Sequence, residues 1–329
     1  MTVIASPSWS SKIIRRARVS SDVRSATAIG PSFRAPHDYG VHSTEHDMPG
    51  PQLPTLSMVL ATATRVLRGA GVASPRVDAE LLAAHVLGIP RSRLLTAPPP
   101  DPGQSAEIER LTTKRAARIP LQHLTGTAPF HELELEVGPG VFVPRFETEL
   151  LVEWGRTRPG TRIVDLCGGS GAIAIAVRTS GTEVYCVEKS DAALVWLRRN
   201  VARLAPDVRV VDGDVTDPAV LRDLDGTVDL VLSNPPYVPE GAPVDVEVAV
   251  HDPHDAVFAG ADGLALMPGL VRRAGDLLRP GGWLGIEHDD TQGESLPALI
   301  RATGRFAEVI DHHDLAGRPR YVTARRVAD

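Results

Sequence analysis

From residue 161 to residue 324 the chain passes through seven short apolar stretches, at 161–167, 183–187, 208–211, 229–233, 283–287, 307–310 and 321–324. Helical segments separate most of them. Strands covered on both faces read as near-continuous apolar runs, and a helix between two runs carries the chain back for parallel pairing. The pattern predicts an α/β fold of the Rossmann-like kind, a doubly wound, mostly parallel sheet. Open sheets of this type bind ligands in the crevice outside the carboxyl ends of their strands. The residues that follow each run therefore carry the functional information.

The chain before this region is built on other periods. Leu56, Val59, Leu60, Ala63, Val66, Leu67 and Ala70 recur at helical steps, closed by Gly69 and Gly71. Ser74-Pro75 opens a second helix, with Leu81, Leu82, Val86 and Leu87 as its apolar side, and Gly88-Ile89-Pro90 ends it. A third is expected over 105–118, after the break Pro98-Pro99-Pro100-Asp101-Pro102, with Glu107, Glu109, Arg110, Lys114, Arg115 and Arg118 read as a solvated face. These make a small helical bundle over 51–125. The period then becomes two: Phe130 to Val137 alternates, Gly138-Pro139-Gly140 turns, and Val141-Phe142-Val143 returns. That predicts a connecting β-hairpin over 126–145, ahead of a second domain over 146–329.

Residues 1–50 differ in kind. Up to Pro36 they set Lys12, Arg15, Arg16, Arg18, Arg24 and Arg34 against one acid, Asp22, with many serines. Such a composition buries no core. It is read as a disordered extension or an upstream start, with Met48 as the true one, in preference to an organelle leader. Of the 35 cationic side chains only Lys12, Lys114 and Lys189 are lysines, the bias of a GC-rich bacterial gene.

The net charge of −6 argues against a protein that lives on nucleic-acid backbones. No apolar stretch approaches membrane-spanning length. Two cysteines, Cys167 and Cys186, with no CxxC pair and no His cluster, point to reduced, cytoplasmic chemistry without a metal. A monomer is the default expectation, since no coiled-coil seam is evident.

The first apolar run ends in Asp165-Leu166-Cys167-Gly168-Gly169-Ser170-Gly171. Glycines there allow close backbone approach to a ligand. With Glu188 at the end of the next run, the loop satisfies both a dinucleotide and a methionine-linked nucleoside fingerprint; in either, Glu188 accepts ribose hydroxyls. Asp165, and Asp214-Val215 after the third run, favour the second. The deciding feature is Asn234-Pro235-Pro236-Tyr237, directly after 229–233. A planar nitrogen is a poor nucleophile and must be held for attack. The Asn234 side-chain oxygen and the Pro235 carbonyl can each accept one N–H, and Tyr237 can stack on a flat acceptor and exclude water. A dehydrogenase has no use for such a clamp.

Together these segments resemble the bacterial release factor glutamine methyltransferases over about residues 55–327. The resemblance rests on the helical domain, Pro144-Arg145-Phe146-Glu147-Thr148-Glu149, the glycine loop, Asn-Pro-Pro-Tyr, Gly260-Ala261-Asp262-Gly263-Leu264 and Asp314-Leu315-Ala316-Gly317-Arg318. It implies a class I fold and S-adenosyl-L-methionine as cofactor. Peptide chain release factors would be the protein substrate, methylated on the glutamine side-chain amide of their Gly-Gly-Gln loop. It further implies that Cys167, Gly168, Gly169, Ser170 and Gly171 wrap the methionine end, that Glu188 holds the ribose, and that Val215 and Asp214 lie by the adenine. Asn234 would border both ligands, and Asn234, Pro235, Pro236 and Tyr237 would bind the glutamine, while the helical domain helps to recognise the release factor. The alternative is an amino methyltransferase acting on adenine or guanine in nucleic acid, which uses the same clamp but needs a basic, target-reading module. Three positions depart from the family: Cys167-Gly168 replaces Gly-Thr, Phe146 replaces proline, and Asp289 replaces glycine.

Overall fold

The computed structural model describes residues 54–328, and the reading of residues 1–50 lies outside them. Three helices open this region: α1 (Leu56–Gly69), α2 (Pro75–Leu87) and α3 (Pro102–Ala116). Leu60, Ala63, Leu67, Ala79, Ala83 and Ile108 form their shared core. The Thr55 hydroxyl caps α1, and Pro75 sits in the first turn of α2, with left-handed Gly88 closing that helix. The third helix begins earlier than its apolar pattern suggests, because Asp101 and Gln104 form a reciprocal capping box around Pro102.

The short helix α4 (Leu121–Thr125) leads into the hairpin of β1 (Thr127–Phe130) and β2 (Leu133–Glu136). Here the structure corrects the expectation. The strands pair Thr127 with Glu136 and Phe130 with Leu133, so the turn falls at His131-Glu132 and not at Gly138-Pro139-Gly140. His131 takes a positive φ of 50°, and its N–H donates to the Glu149 carboxylate at 2.9 Å. A residue that tolerates the left-handed region, with its amide satisfied from outside, turns what reads as one alternating strand into two. Val141 and Val143 are not a strand but pack with Ala128, Val137 and Ala193.

The remaining elements alternate: α5 (Thr148–Arg156), β3 (Arg162–Leu166), α6 (Ala172–Val177), β4 (Glu183–Glu188), α7 (Asp191–Leu204), β5 (Arg209–Asp212), β6 (Val228–Ser233), α8 (Val246–His251), α9 (His254–Val257), α10 (Met267–Leu277), β7 (Leu278–Glu287), α11 (Ser295–Ala302), β8 (Phe306–His313) and β9 (Pro319–Arg326). The seven strands form one sheet in the order β5-β4-β3-β6-β7-β9-β8. Neighbours from β5 to β7 are parallel, and β9 runs antiparallel to both β7 and β8. One apolar layer includes Ile163, Ile173, Ile175, Leu194 and Leu197, the other Val164, Val231, Leu270, Leu277 and Leu284. All seven apolar runs of the sequence are strands of this sheet.

Strand order reverses between β3 and β6, where the chain leaves in opposite directions and a crevice opens. Leu166 pairs with Ser233, so the glycine loop and the Asn-Pro-Pro-Tyr segment leave the sheet side by side. The bundle is tied to this region through α3. Arg115 donates to Asp78 and Glu247, both at 2.7 Å, and Arg118 pairs with Glu247 at 2.9 Å. Reading these two arginines as part of a solvated face is therefore corrected. Arg115 is only 6% exposed, because acids 37 and 132 residues away converge on it, and helical spacing carries no trace of them. Among the described residues no helix is long and apolar enough to cross a membrane.

Candidate active site

A cleft of about 1320 Å³ lies over the carboxyl ends of β3, β4 and β6. That exceeds the roughly 300–1,000 Å³ of an ordinary small-molecule pocket and leaves room for two ligands. Cys167, Gly168, Gly169, Ser170, Glu188, Asp214, Val215, Asn234, Pro235, Pro236 and Tyr237 all line it. The structure thus brings together nearly every residue singled out from sequence.

On one side the glycine loop is held by backbone. Gly168 N–H donates to the Val187 carbonyl at 2.8 Å, and a Cβ on Gly168 would stand 2.2 Å from the Cys186 sulfur. Gly171 caps α6 in the left-handed region without itself lining the cleft. The Gly169, Lys189 and Ser190 N–H groups donate to the Glu188 carboxylate at 2.8, 2.8 and 2.7 Å. A carboxylate has about four acceptor sites, so Glu188 is oriented yet keeps capacity for a hydroxyl. Val215 is buried and offers an apolar wall. Asp214 accepts from the Thr216 N–H and hydroxyl at 2.8 and 2.7 Å, which holds its carboxyl below the usual range.

Asp165 and Cys167 are set apart from the other residues of the loop. Asp165 is fully buried behind the loop and is not among the residues that line the cleft. Its Oδ2 accepts from Ala174 N–H at 3.1 Å and from the Cys186 thiol, and burial pushes its pKa up to about 7. The strand directs this side chain into the layer beneath the loop, where its Oδ2 braces the start of α6. Cys167, which replaces the family's first glycine, carries a φ of 70°. Burial and the Glu188 charge both push its thiol up, which disfavours the reactive thiolate.

The other side is held by side chains. Asn234 Nδ2 donates to the Thr148 hydroxyl at 3.0 Å, which leaves its Oδ1 as a free acceptor. Tyr237 Oη donates to Glu287 Oε1 at 3.0 Å. The Tyr237 carbonyl accepts from Gln292 Nε2 at 3.0 Å, and the same nitrogen donates to the Asp262 carbonyl at 3.0 Å. Gly263 packs directly beneath: a Cβ there would lie 2.0 Å from the Tyr237 carbonyl oxygen. This explains the Gly260-Ala261-Asp262-Gly263 segment physically. Asp289, another departure from the family, uses its N–H to hold Gln292 Oε1 at 3.0 Å, as a glycine would, and its carboxylate also accepts from the Thr291 N–H at 3.0 Å. Phe146, 69% exposed, does not disturb the turn into α5, where Thr148 N–H still reaches the Arg145 carbonyl at 3.2 Å.

Thr148, Glu287, Gln292 and Gly263 support the site, and reading for chemistry along the chain misses these supporting roles. The available signal was Glu287 itself, an acid at the carboxyl end of an apolar strand. It is 1% exposed, and burial raises its pKa to about 7 against the opposing pull of Thr148, Tyr237 and Arg320.

Comparison with known proteins agrees with this geometry. Residues 58–126 match the family model of the PrmC N-terminal domain, and residues 132–251 match that of the methyltransferase small domain. The chain is 51% identical to the release factor glutamine methyltransferase of Mycolicibacterium smegmatis over 83% of its own length and 98% of that protein. It is 47% identical to that of Corynebacterium glutamicum, covering 83% of this chain and 99% of the relative. For the Streptomyces coelicolor protein the identity is 48%, with coverage of 81% and 96%. With this degree of likeness along nearly the whole of each relative, the chain belongs to the release factor glutamine methyltransferase family.

Proposed function

We propose that this protein transfers a methyl group from S-adenosylmethionine to the side-chain amide nitrogen of the Gly-Gly-Gln glutamine in peptide chain release factors, in the cytoplasm. The observation that carries the reading is Asn234. With Nδ2 tied to Thr148, its Oδ1 faces the task as an acceptor, beside a proline carbonyl that has no competing donor.

The cleft suits the cofactor as well. Glu188 is pre-oriented by three backbone N–H groups and retains acceptor capacity for a ribose diol, and Val215 supplies an apolar face for the base. The loop from Cys167 to Ser170 borders the same space. When bound there, S-adenosylmethionine supplies an electrophilic methyl group on a sulfonium. The protein's own part is positioning. Asn234 Oδ1 and the Pro235 carbonyl accept the two amide hydrogens, which sets the plane of the acceptor. The Tyr237 ring, fixed through its hydroxyl to Glu287, covers that plane and keeps water out. The methylated amide is acidic enough to release its proton to water, so no strong general base is required.

The helical bundle contributes indirectly and directly. Arg115 and Arg118 grip Asp245 and Glu247 at the start of α8, and Asp245 and Val248 line the cleft. A release factor docking on the bundle would therefore be registered against the acceptor side.

Mass spectrometry of a purified release factor incubated with this protein and S-adenosylmethionine tests the proposal. The expected result is the gain of one methyl group on the Gly-Gly-Gln peptide. No gain there, together with methylation of a nucleic-acid amino group, would replace the reading by its alternative.

A further inference from the structure

The turn between β8 and β9, Asp314-Leu315-Ala316-Gly317-Arg318, belongs neither to the clamp nor to the glycine loop. Asp314 builds it. Its Oδ1 accepts from the Ala316 and Arg318 N–H groups at 2.8 and 3.0 Å, and its Oδ2 accepts from Arg318 Nε and Nη2 at 3.2 and 3.1 Å. The Arg318 guanidinium is thus engaged by its own turn, and its side chain is 52% exposed. Arg320, at the start of β9, is placed differently. Only 11% of its side chain is exposed, and it lines the cleft together with Tyr237 and Glu287. A guanidinium carries a fork of N–H donors. Among the described residues those of Arg320 meet a single acceptor, Asp314 Oδ2 at a long 3.5 Å, and its buried Nε meets none. A buried donor without a partner costs free energy, so one kept on a cleft wall is matched to a group that the cleft receives.

Position and charge narrow that group. Glu287 pairs with Tyr321 across β7 and β9, and the His288 N–H donates to the Arg320 carbonyl at 2.9 Å. Arg320 therefore stands on the acceptor side, next to the carboxylate that holds Tyr237. Glu287, Asp314 and Glu147 all face its guanidinium. These acids offset its charge and would repel an anionic ligand, so a neutral carbonyl oxygen is the acceptor that fits. Glu287 Oε2, buried on the same wall, also has no partner among the described residues. A peptide unit carries a carbonyl oxygen and an N–H together, and it answers both.

Resting on the release-factor reading above, we propose that Arg320 is a specificity-determining residue that binds the main chain of the release-factor loop, its guanidinium donating to a peptide carbonyl oxygen adjoining the methylated glutamine. Asn234 and Pro235 take the side-chain amide, and Arg320 takes the backbone. Glycines beside the glutamine leave such a carbonyl open to an enzyme side chain. A glutamine inside a helix has its main-chain carbonyl already engaged and is not taken. The contact is the same before and during methyl transfer, so its loss falls on KM and not on kcat.

The test is steady-state methylation of a purified release factor by the full-length protein and by Arg320→Gln, Arg320→Lys and Arg318→Gln, with calorimetric binding of S-adenosylmethionine to each. Arg320→Gln is expected to raise KM for the release factor about ten- to a hundredfold, with kcat and cofactor affinity within about twofold of the wild type. Arg320→Lys keeps the charge but not the fork, and should recover part of the loss. Arg318→Gln removes the neighbouring contacts to Asp314 and leaves Arg320 in place, so its KM should stay near that of the wild type. An unchanged KM in Arg320→Gln overturns the inference. An equal rise in Arg318→Gln overturns it too, because both variants would then act by loosening the turn. If Arg320→Gln also loses cofactor binding, Arg320→Lys decides by the same split between KM and kcat. A wild type that leaves the release factor unmethylated removes the release-factor reading and this inference with it.

Discussion

The two sides of the cleft are built by different means. On the cofactor side the chain itself is the scaffold: backbone N–H groups orient Glu188, a β4 carbonyl holds Gly168, and tight contact with Cys186 forbids a side chain. On the acceptor side four side chains from distant parts of the sequence converge. Thr148 and Asn234 are 86 residues apart, and Tyr237 and Glu287 are 50 apart. Backbone contacts persist through most substitutions, whereas a side-chain network fails at each of its members. The cofactor half should therefore tolerate change in its supports better than the acceptor half does, and the two should fail separately.

The sharpest separation comes from paired variants. Asn234→Ala should depress turnover on the order of a hundredfold or more, with S-adenosylmethionine affinity little changed. Glu188→Ala should do the reverse, weakening the cofactor about ten- to a hundredfold through loss of hydrogen bonds to a charged group. Calorimetry beside methylation kinetics reads both, and equal losses of affinity in the two would erase the distinction. Next in size is Gly263→Ala. Its new methyl meets the Tyr237 carbonyl, a backbone atom that cannot move aside, at a φ of 73°. Turnover should fall at least about tenfold, with cofactor binding preserved; lost cofactor affinity would mean that the halves are mechanically coupled.

Smallest is Cys167→Gly. The left-handed conformation of Cys167 costs roughly 1–2 kcal/mol in a residue with a Cβ, partly offset by the greater freedom of glycine in the unfolded chain. A gain of a few tenths to about 1 kcal/mol in denaturant stability, with unaltered turnover, is expected. A destabilised Cys167→Gly would show that the thiol's packing outweighs the strain.

Legibility followed the same division. The seven strands, the glycine loop, Glu188 and Asn-Pro-Pro-Tyr could all be read from the chain, because each depends on neighbours in sequence: apolar runs, glycine spacing, a proline pair after a strand. A hairpin lies within 126–145, but its strands are 127–130 and 133–136 and its turn is His131-Glu132, which depends on Glu149 satisfying the His131 amide. An acid before glycines suits a nucleoside, whereas the burial of Asp165 behind the loop follows from which layer the strand faces. By helical spacing Arg115 reads as surface, whereas Glu247 reaches it from 132 residues along the chain.

The sequence by itself determined the fold class, the order of the strands along the chain and the chemistry of the cleft's rim. These follow from local periodicity and from residue types whose acceptors and rings have few other uses. Only the tertiary structure decided how the rim is held: which end of the Asn234 amide faces inward, what pins Tyr237, and why Gly263 admits no side chain. Those depend on register between β3 and β6 and on burial of a carboxylate among residues remote in sequence. Such contacts are paid for by the whole fold, so no short window of the chain records them.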